Sequence, residues 1–237
     1  MLTLSSLRKE LRSNANPKRA EFSKRYFKCG PGEYGEGDVF MGLTITTGEL
    51  RKIAKSYLSL SFPDLQELLN SKFHEERQFA LMVLVYKYGK SGSPEKKKIF
   101  DFYLKNTKHI NNWDLVDLSA PNIVGEYLLD KPRGILYKLA KSKNLWEKRI
   151  AVLATFAFIK EGQFTDSFKI AEILLDDSHD LIHKAVGWML REVGKKFLAD
   201  EEKFLKKRYK KMPRTMLRYA IEKFPEKKRK AYLAGRI

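Results

Sequence analysis

An all-α fold, arranged as an α-solenoid of stacked helix pairs, is predicted by three features of the sequence. First, most segments carry apolar residues three and four apart over about 10 to 16 residues, the spacing of one helix face, as in "ERQFALMVLVYKYG", "KRIAVLATFAFIKEG" and "LIHKAVGWMLREVG". Second, no pair of alternating segments reads as adjacent strands, and about a dozen helices account for the pattern. Third, Arg77, Asp114, Arg149, Lys184 and Arg218 each stand just before an apolar run, at intervals of 37, 35, 35 and 34 residues. A period of that length built from helix pairs marks an array in which each pair buries its apolar face only against its neighbours.

Taken in order, the elements justify this reading. The first departure from helical spacing is "KCGPGEYGEGDVFMGLTITTGEL", residues 28 to 50, where six glycines and a β-branched run predict a long loop, placed at 28–48. Phe62-Pro63-Asp64 and Ser93-Pro94 read as helix starts, since proline fits the first turn, where its missing N–H is not needed. Gly89, Gly162 and Gly194 read as helix stops. The divergence between copies places the repeats nearer the HEAT type than a strict short motif, within a single domain over residues 1–237. Stacking brings equivalent positions to one surface, so Arg77, Arg149, Lys184 and Arg218 are expected to form a basic ladder on a concave face.

Composition narrows the partners. With 47 Lys plus Arg against 29 Asp plus Glu, the formal net charge is +18, which favours a polyanion. No apolar run approaches the roughly 20 residues of a spanning helix, and "MLTLSSLRKELRS" lacks an apolar signal block, so a soluble cytoplasmic protein is expected. Cys29 is the single cysteine, and His74, His109, His179 and His183 show no metal-ligand spacing, so no metal or cofactor is expected. The runs "EKKKIF", "KRYKK" and "EKKRKAY" add general positive field. Polar outer faces favour a monomer.

Against this charge, "NNWDLVDLSAP" (111–121) is the exception. Asp114 replaces a basic rung; a cap from Asn111 or Asn112 and a favourable place in the first turn account for it. Asp117 is different, because its counterparts Ala80, Val152, Gly187 and Ile221 are small or apolar. A carboxylate at such a position needs a donor or a cation. Trp113 lies one turn before it on the same helix face, and an indole beside a carboxylate makes a surface for a cation. Trp146 reads as a hydrophobic staple before its helix, and Trp188 is ambiguous, since its counterparts Leu118 and Leu153 look like core.

These residues carry a resemblance. "NNWDLVD", "LWEKRIAV" and "HKAVGWMLREV", with "RYFK" and "FMGLTITTGELRKIAK" upstream, are similar to the AlkD-like family of HEAT-repeat DNA glycosylases, over about Asn16 to Glu192. The resemblance implies hydrolysis of the N-glycosidic bond of N3- or N7-alkylated purines in double-stranded DNA, without a deep base-flipping pocket. Matched by motif, it assigns the catalytic carboxylate to Asp117, the aromatic residues beside it to Trp113 and Trp188, the phosphate-holding arginine to Arg149 and a groove contact to Tyr26. Two departures are the insertion "CGPGEYGEG" and Thr47, where relatives often carry proline. The alternatives are a non-catalytic HEAT-repeat protein binding damaged or branched DNA, and a scaffold taking an acidic protein partner.

Overall fold

A computed structural model describes residues 2–237, which hold fourteen α-helices, and no β-ladder beyond one isolated parallel bridge between Val39 and Phe73 occurs among them. The chain divides into two compact units, one ending at Ser119 and one of Ala120–Ile237.

The first unit begins with α1 (Leu4–Ser13), whose Thr3 cap and Ser6 exchange hydrogen bonds and whose Leu7 and Leu11 are buried. Helix α2 (Pro17–Tyr26) starts on an Asn16 cap with proline at its first position and buries no residue at all. The predicted loop follows and ends slightly earlier than expected, because Thr46 and Glu49 form a capping box that starts α3 (Thr47–Ser56). A second box, Ser61 with Asp64, starts α4 (Phe62–Leu69) at the predicted Phe62-Pro63-Asp64. Helix α5 (His74–Lys90) packs against both α3 and α4 and buries Phe79 through Leu84. Helix α6 (Ser93–Lys105) begins at the predicted Ser93-Pro94, and α7 (Trp113–Ala120) closes the unit.

The glycine-rich segment is a packed part of this unit. Phe40, Met41 and Leu43 are buried, and the Glu75 carboxylate accepts from the backbone N–H groups of Met41 and Gly42 at 3.0 and 2.8 Å. Gly42 has φ +68°, and a Cβ there would overlap the backbone of α2 at Ala20. Only glycine satisfies both conditions at low cost.

In the second unit, a π-helical turn over Pro121–Gly125 continues from α7. Proline at 121 has no N–H to donate to the carbonyl four residues back, that of Asp117, which is a recognised cause of such a local widening. Then come α8 (Gly134–Ala140), α9 (Leu145–Lys160), α10 (Thr165–Ile173), α11 (Asp180–Lys196), α12 (Leu198–Arg208), α13 (Arg214–Ala220) and α14 (Glu226–Leu233). The long helices α9 and α11 pack on each other, α9 against α8 and α10, and α11 against α12 and α13. This is the helix-pair repeat the 34- to 37-residue period predicted. Gly162, with φ +74°, stops α9 as expected, whereas Gly89 lies one residue before the end of α5.

Two sequence expectations are corrected here. Gly194 is not a stop: it lies inside α11, and the space its Cβ would fill is taken by the carboxyl group of Glu201 on α12. Trp146 does not precede its helix but is its second residue, buried behind an Asn144 cap that accepts from its N–H at 2.8 Å.

Candidate functional site

Helix α7 is set by its cap. The Asn112 side-chain oxygen accepts from the Trp113 N–H at 2.8 Å, and the Asn112 carbonyl accepts from Val116 at 3.2 Å. The Trp113 ring, half-buried, stacks on Phe27 (5.3 Å between centroids, 26° between planes) and meets the edge of Tyr26 (5.9 Å, 66°). Phe27 in turn stacks on Phe40 at 5.1 Å. Within this unit the fold therefore joins Trp113 and Tyr26, two residues 87 positions apart in the chain that the family pattern picks out.

Asp117 follows one turn later. Its counterparts Ala80, Val152, Gly187 and Ile221 are all buried, yet Asp117 is only partly so. It sits near the buried Tyr103 hydroxyl, which shares a 2.9 Å hydrogen bond with Ser119 Oγ. Burial pushes the Tyr103 hydroxyl pKa up, and the Asp117 charge pushes it further the same way. Tyr103 thus remains a neutral hydroxyl near the Asp117 carboxylate.

Asp114 faces another way. It accepts from His74 Nε2 at 2.8 Å and from Gln78 Nε2 at 2.9 Å. His74 Nδ1 lies 3.2 Å from Asp38 Oδ2, and Asp38 also takes Arg77 Nη2 at 2.6 Å and the Asn111 amide at 3.1 Å. Burial alone would lower the His74 pKa, but Asp114 and then Asp38 override it and raise the pKa to about 9. At neutral pH the ring is an imidazolium donating both N–H groups. Burial likewise works against the Asp38 anion, and His74, Arg77 and Asn111 more than offset that, holding its pKa below the usual carboxylate value. The chain Asp38–His74–Asp114 ties the glycine-rich segment to the starts of α5 and α7, and thereby fixes where Trp113 stands.

This network corrects one predicted contact. Arg77 is 4% exposed, and its guanidinium is spent on Asp38 and the Ser71 carbonyl (2.9 Å), so it is a buried ion pair and not a surface rung. A guanidinium matches two acceptors in one plane, and Asp38 is the acid that the repeat register could not show.

In the second unit, Arg149 is also largely buried, at 5% exposed, and donates to the Leu181 carbonyl at 2.8 Å. Lys184 is half-buried and pairs with Asp180 one turn earlier at 2.7 Å, while Arg218 is exposed. Trp188 is not core: it is half-buried, its indole N–H donates to Glu192 at 3.0 Å and its ring lies 6.3 Å from Phe156. No group of three or more His, Cys, Asp or Glu side chains suited to a metal ion occurs among the described residues. Nor is any helix among them long and apolar enough to cross a membrane.

Sequence reasoning missed Asp38, His74, Glu75 and Gln78. Their positions are joined only by tertiary contacts, and neither spacing nor register links residues 38, 74 and 114.

Comparison with known proteins supplies an independent view. A chain described as a predicted DNA alkylation repair enzyme from Enterococcus faecalis superposes with a TM-score of 0.67 at 17% identity, covering 90% of this chain and 98% of that one. At such identity the likeness speaks for the fold. No curated protein matches. The sequence profile of the family described as DNA alkylation repair enzyme matches residues 7–224, a span that takes in most of both units and every candidate site residue. A match of that extent, on helices arranged as in a structural relative, places the chain in the DNA alkylation repair enzyme family.

Proposed function

We propose that the protein is a DNA glycosylase that hydrolyses the N-glycosidic bond of N3- or N7-alkylated purines in duplex DNA. The observation that carries this reading is Asp117, a partly exposed carboxylate one turn from the half-buried indole of Trp113, at a register where every counterpart is buried and apolar or glycine.

Alkylation at N3 or N7 makes the purine cationic, so it leaves as a neutral base without protonation. No general acid is required. As the C1′–N bond breaks, positive charge grows on the deoxyribose in an oxocarbenium-like transition state. The Asp117 carboxylate stabilises that charge and orients the attacking water. Water oxygen bonds to C1′, its proton passes to Asp117 or to solvent, and the products are the free alkylpurine and an abasic sugar. The negative face of the Trp113 indole favours the same charge by about 1 kcal/mol. The family pattern gives Trp188 a like role. It gives Arg149 a phosphate contact and Tyr26 a place along the DNA-facing groove, and we assign Lys184 and Arg218 to the DNA backbone as well. Arg77 leaves that set and becomes part of the scaffold that holds Trp113.

The test is release of 7-methylguanine from alkylated duplex DNA. Wild-type protein should release it, and Asp117→Asn should release it about 100-fold or more slowly while binding the same DNA with unchanged affinity. Binding without release by the wild type would instead support a non-catalytic DNA-binding protein.

A further inference from the structure

Helix α2 raises a question that the proposed chemistry does not answer. It buries none of its residues, yet it carries two large aromatic side chains, Phe22 at 70% exposed and Tyr26 at 57%. One turn apart, their rings lie stacked at 6.2 Å and 13° between planes. Leaving a phenylalanine ring in water forfeits the stabilisation its burial would give, and single exposed apolar residues need no explanation, but an ordered pair on one helix face does.

Three further observations say what fits there. The pair continues the Trp113–Tyr26 contact outward, so Phe22, Tyr26 and Trp113 form one connected aromatic run. The helix holding it is basic, with Lys18, Arg19, Lys24 and Arg25 against the single acid Glu21. It is also held in place: Arg19 donates to the Thr44 carbonyl at 3.1 Å, and Gly42 packs against its backbone. A rigid pair of π faces among cations suits a planar group on a polyanionic backbone, which is a nucleobase that has left its stack. A fully paired duplex offers no such face along its sides.

We propose that Phe22, with Tyr26, is a stacking platform for an unpaired nucleobase of the bound DNA. The inference rests on the DNA-binding part of the proposed function and not on the glycosylase chemistry. The platform takes any of the bases, since each has a π face, and the cations of α2 hold the adjoining phosphates. It adds affinity for DNA that is locally open, beyond what the charge of the protein provides.

The experiment compares two 20-base-pair duplexes that differ only in one single-nucleotide bulge, the bulged base being fluorescent 2-aminopurine. Phe22→Ala should weaken binding to the bulged duplex by about 10-fold or more and leave the paired duplex within about twofold. Phe22→Trp should restore the bulged-duplex affinity and the quenching of 2-aminopurine that stacking causes. Equal losses on both duplexes, or no loss on either, would overturn the platform. So would a shift of self-association on Phe22→Ala, seen by sedimentation, since that would make a second copy the occupant. Should the wild type bind neither duplex, the DNA-binding reading itself falls; a wild type that binds both alike, whatever its release of 7-methylguanine, removes the platform alone.

Discussion

Two buried titratable side chains make the stability of this protein depend on pH in the same direction. His74, with its pKa raised from 6.5 to about 9, stabilises the fold fully below about pH 6.5, and that contribution is lost as pH rises towards 9. Glu201 is 1% exposed, and its Oε1 has no hydrogen-bond partner among the described residues. Burial, then the neighbouring Glu202 charge, raises its pKa from 4.5 to about 9, against a smaller opposing effect of Arg191. Between those values the folded chain keeps a proton that the unfolded chain has released, so stability again falls with rising pH. Glu201→Gln removes that loss and should stabilise the protein by about 1–3 kcal/mol at pH 8 while changing little at pH 4.5. Denaturant midpoints of both proteins at the two pH values measure this, and equal shifts at both would show that Glu201 is ionised in the fold. Neither group was legible in the sequence. Glu201 reads as an ordinary first-turn acid of α12, and only the missing side chain of Gly194 makes room to bury it.

At the scale of elements, glycine in a helix shows how packing decides against propensity. Replacing a helical glycine by alanine gains up to about 1 kcal/mol from backbone propensity alone. At Gly89, near the end of α5, a Cβ would meet nothing, so Gly89→Ala should stabilise by about 0.5 kcal/mol. At Gly187, in α11, a Cβ would overlap the Met216 carbonyl and the Tyr219 side chain of α13. A backbone carbonyl cannot rotate away, so α11 and α13 must separate, at a typical cost of about 1–3 kcal/mol. Gly187→Ala should therefore destabilise by about 1–2 kcal/mol, and thermal melting of the pair should show shifts of opposite sign. Helix starts were legible to the residue at Phe62 and Ser93, because capping and proline act locally. Gly194 was misread as a stop because a small residue needed for close approach and one needed for a turn are the same letter. That the glycine-rich loop is packed was not legible, because its anchors, Glu75, Arg77 and His74, lie 30 or more residues away.

For the whole molecule, the formal net charge of +18 makes electrostatic attraction the dominant contribution to any encounter with DNA. The helix-pair repeat was legible because its period recurs from Arg77 to Arg218, and Asp117 stands out because it breaks that period. Arg77 was misjudged by the same register, which reports position along a helix and not what a distant loop places beside it. With Arg77 set aside, the DNA contacts we propose are Arg149, Lys184 and Arg218 from the repeats, and the cations of α2. If about four phosphates are neutralised, affinity for undamaged duplex should fall on the order of 100-fold between about 50 and 200 mM salt. Arg218→Ala, at an exposed position, should lower the slope of log affinity against log salt by about one. Arg77→Gln should leave that slope unchanged, and because a neutral glutamine leaves the buried Asp38 carboxylate without its ion pair, it should lower the melting temperature instead. Titration of a fluorescent duplex at several salt concentrations measures both slopes. A slope that falls for Arg77→Gln and not for Arg218→Ala would restore the original ladder at its first rung and remove it at its last.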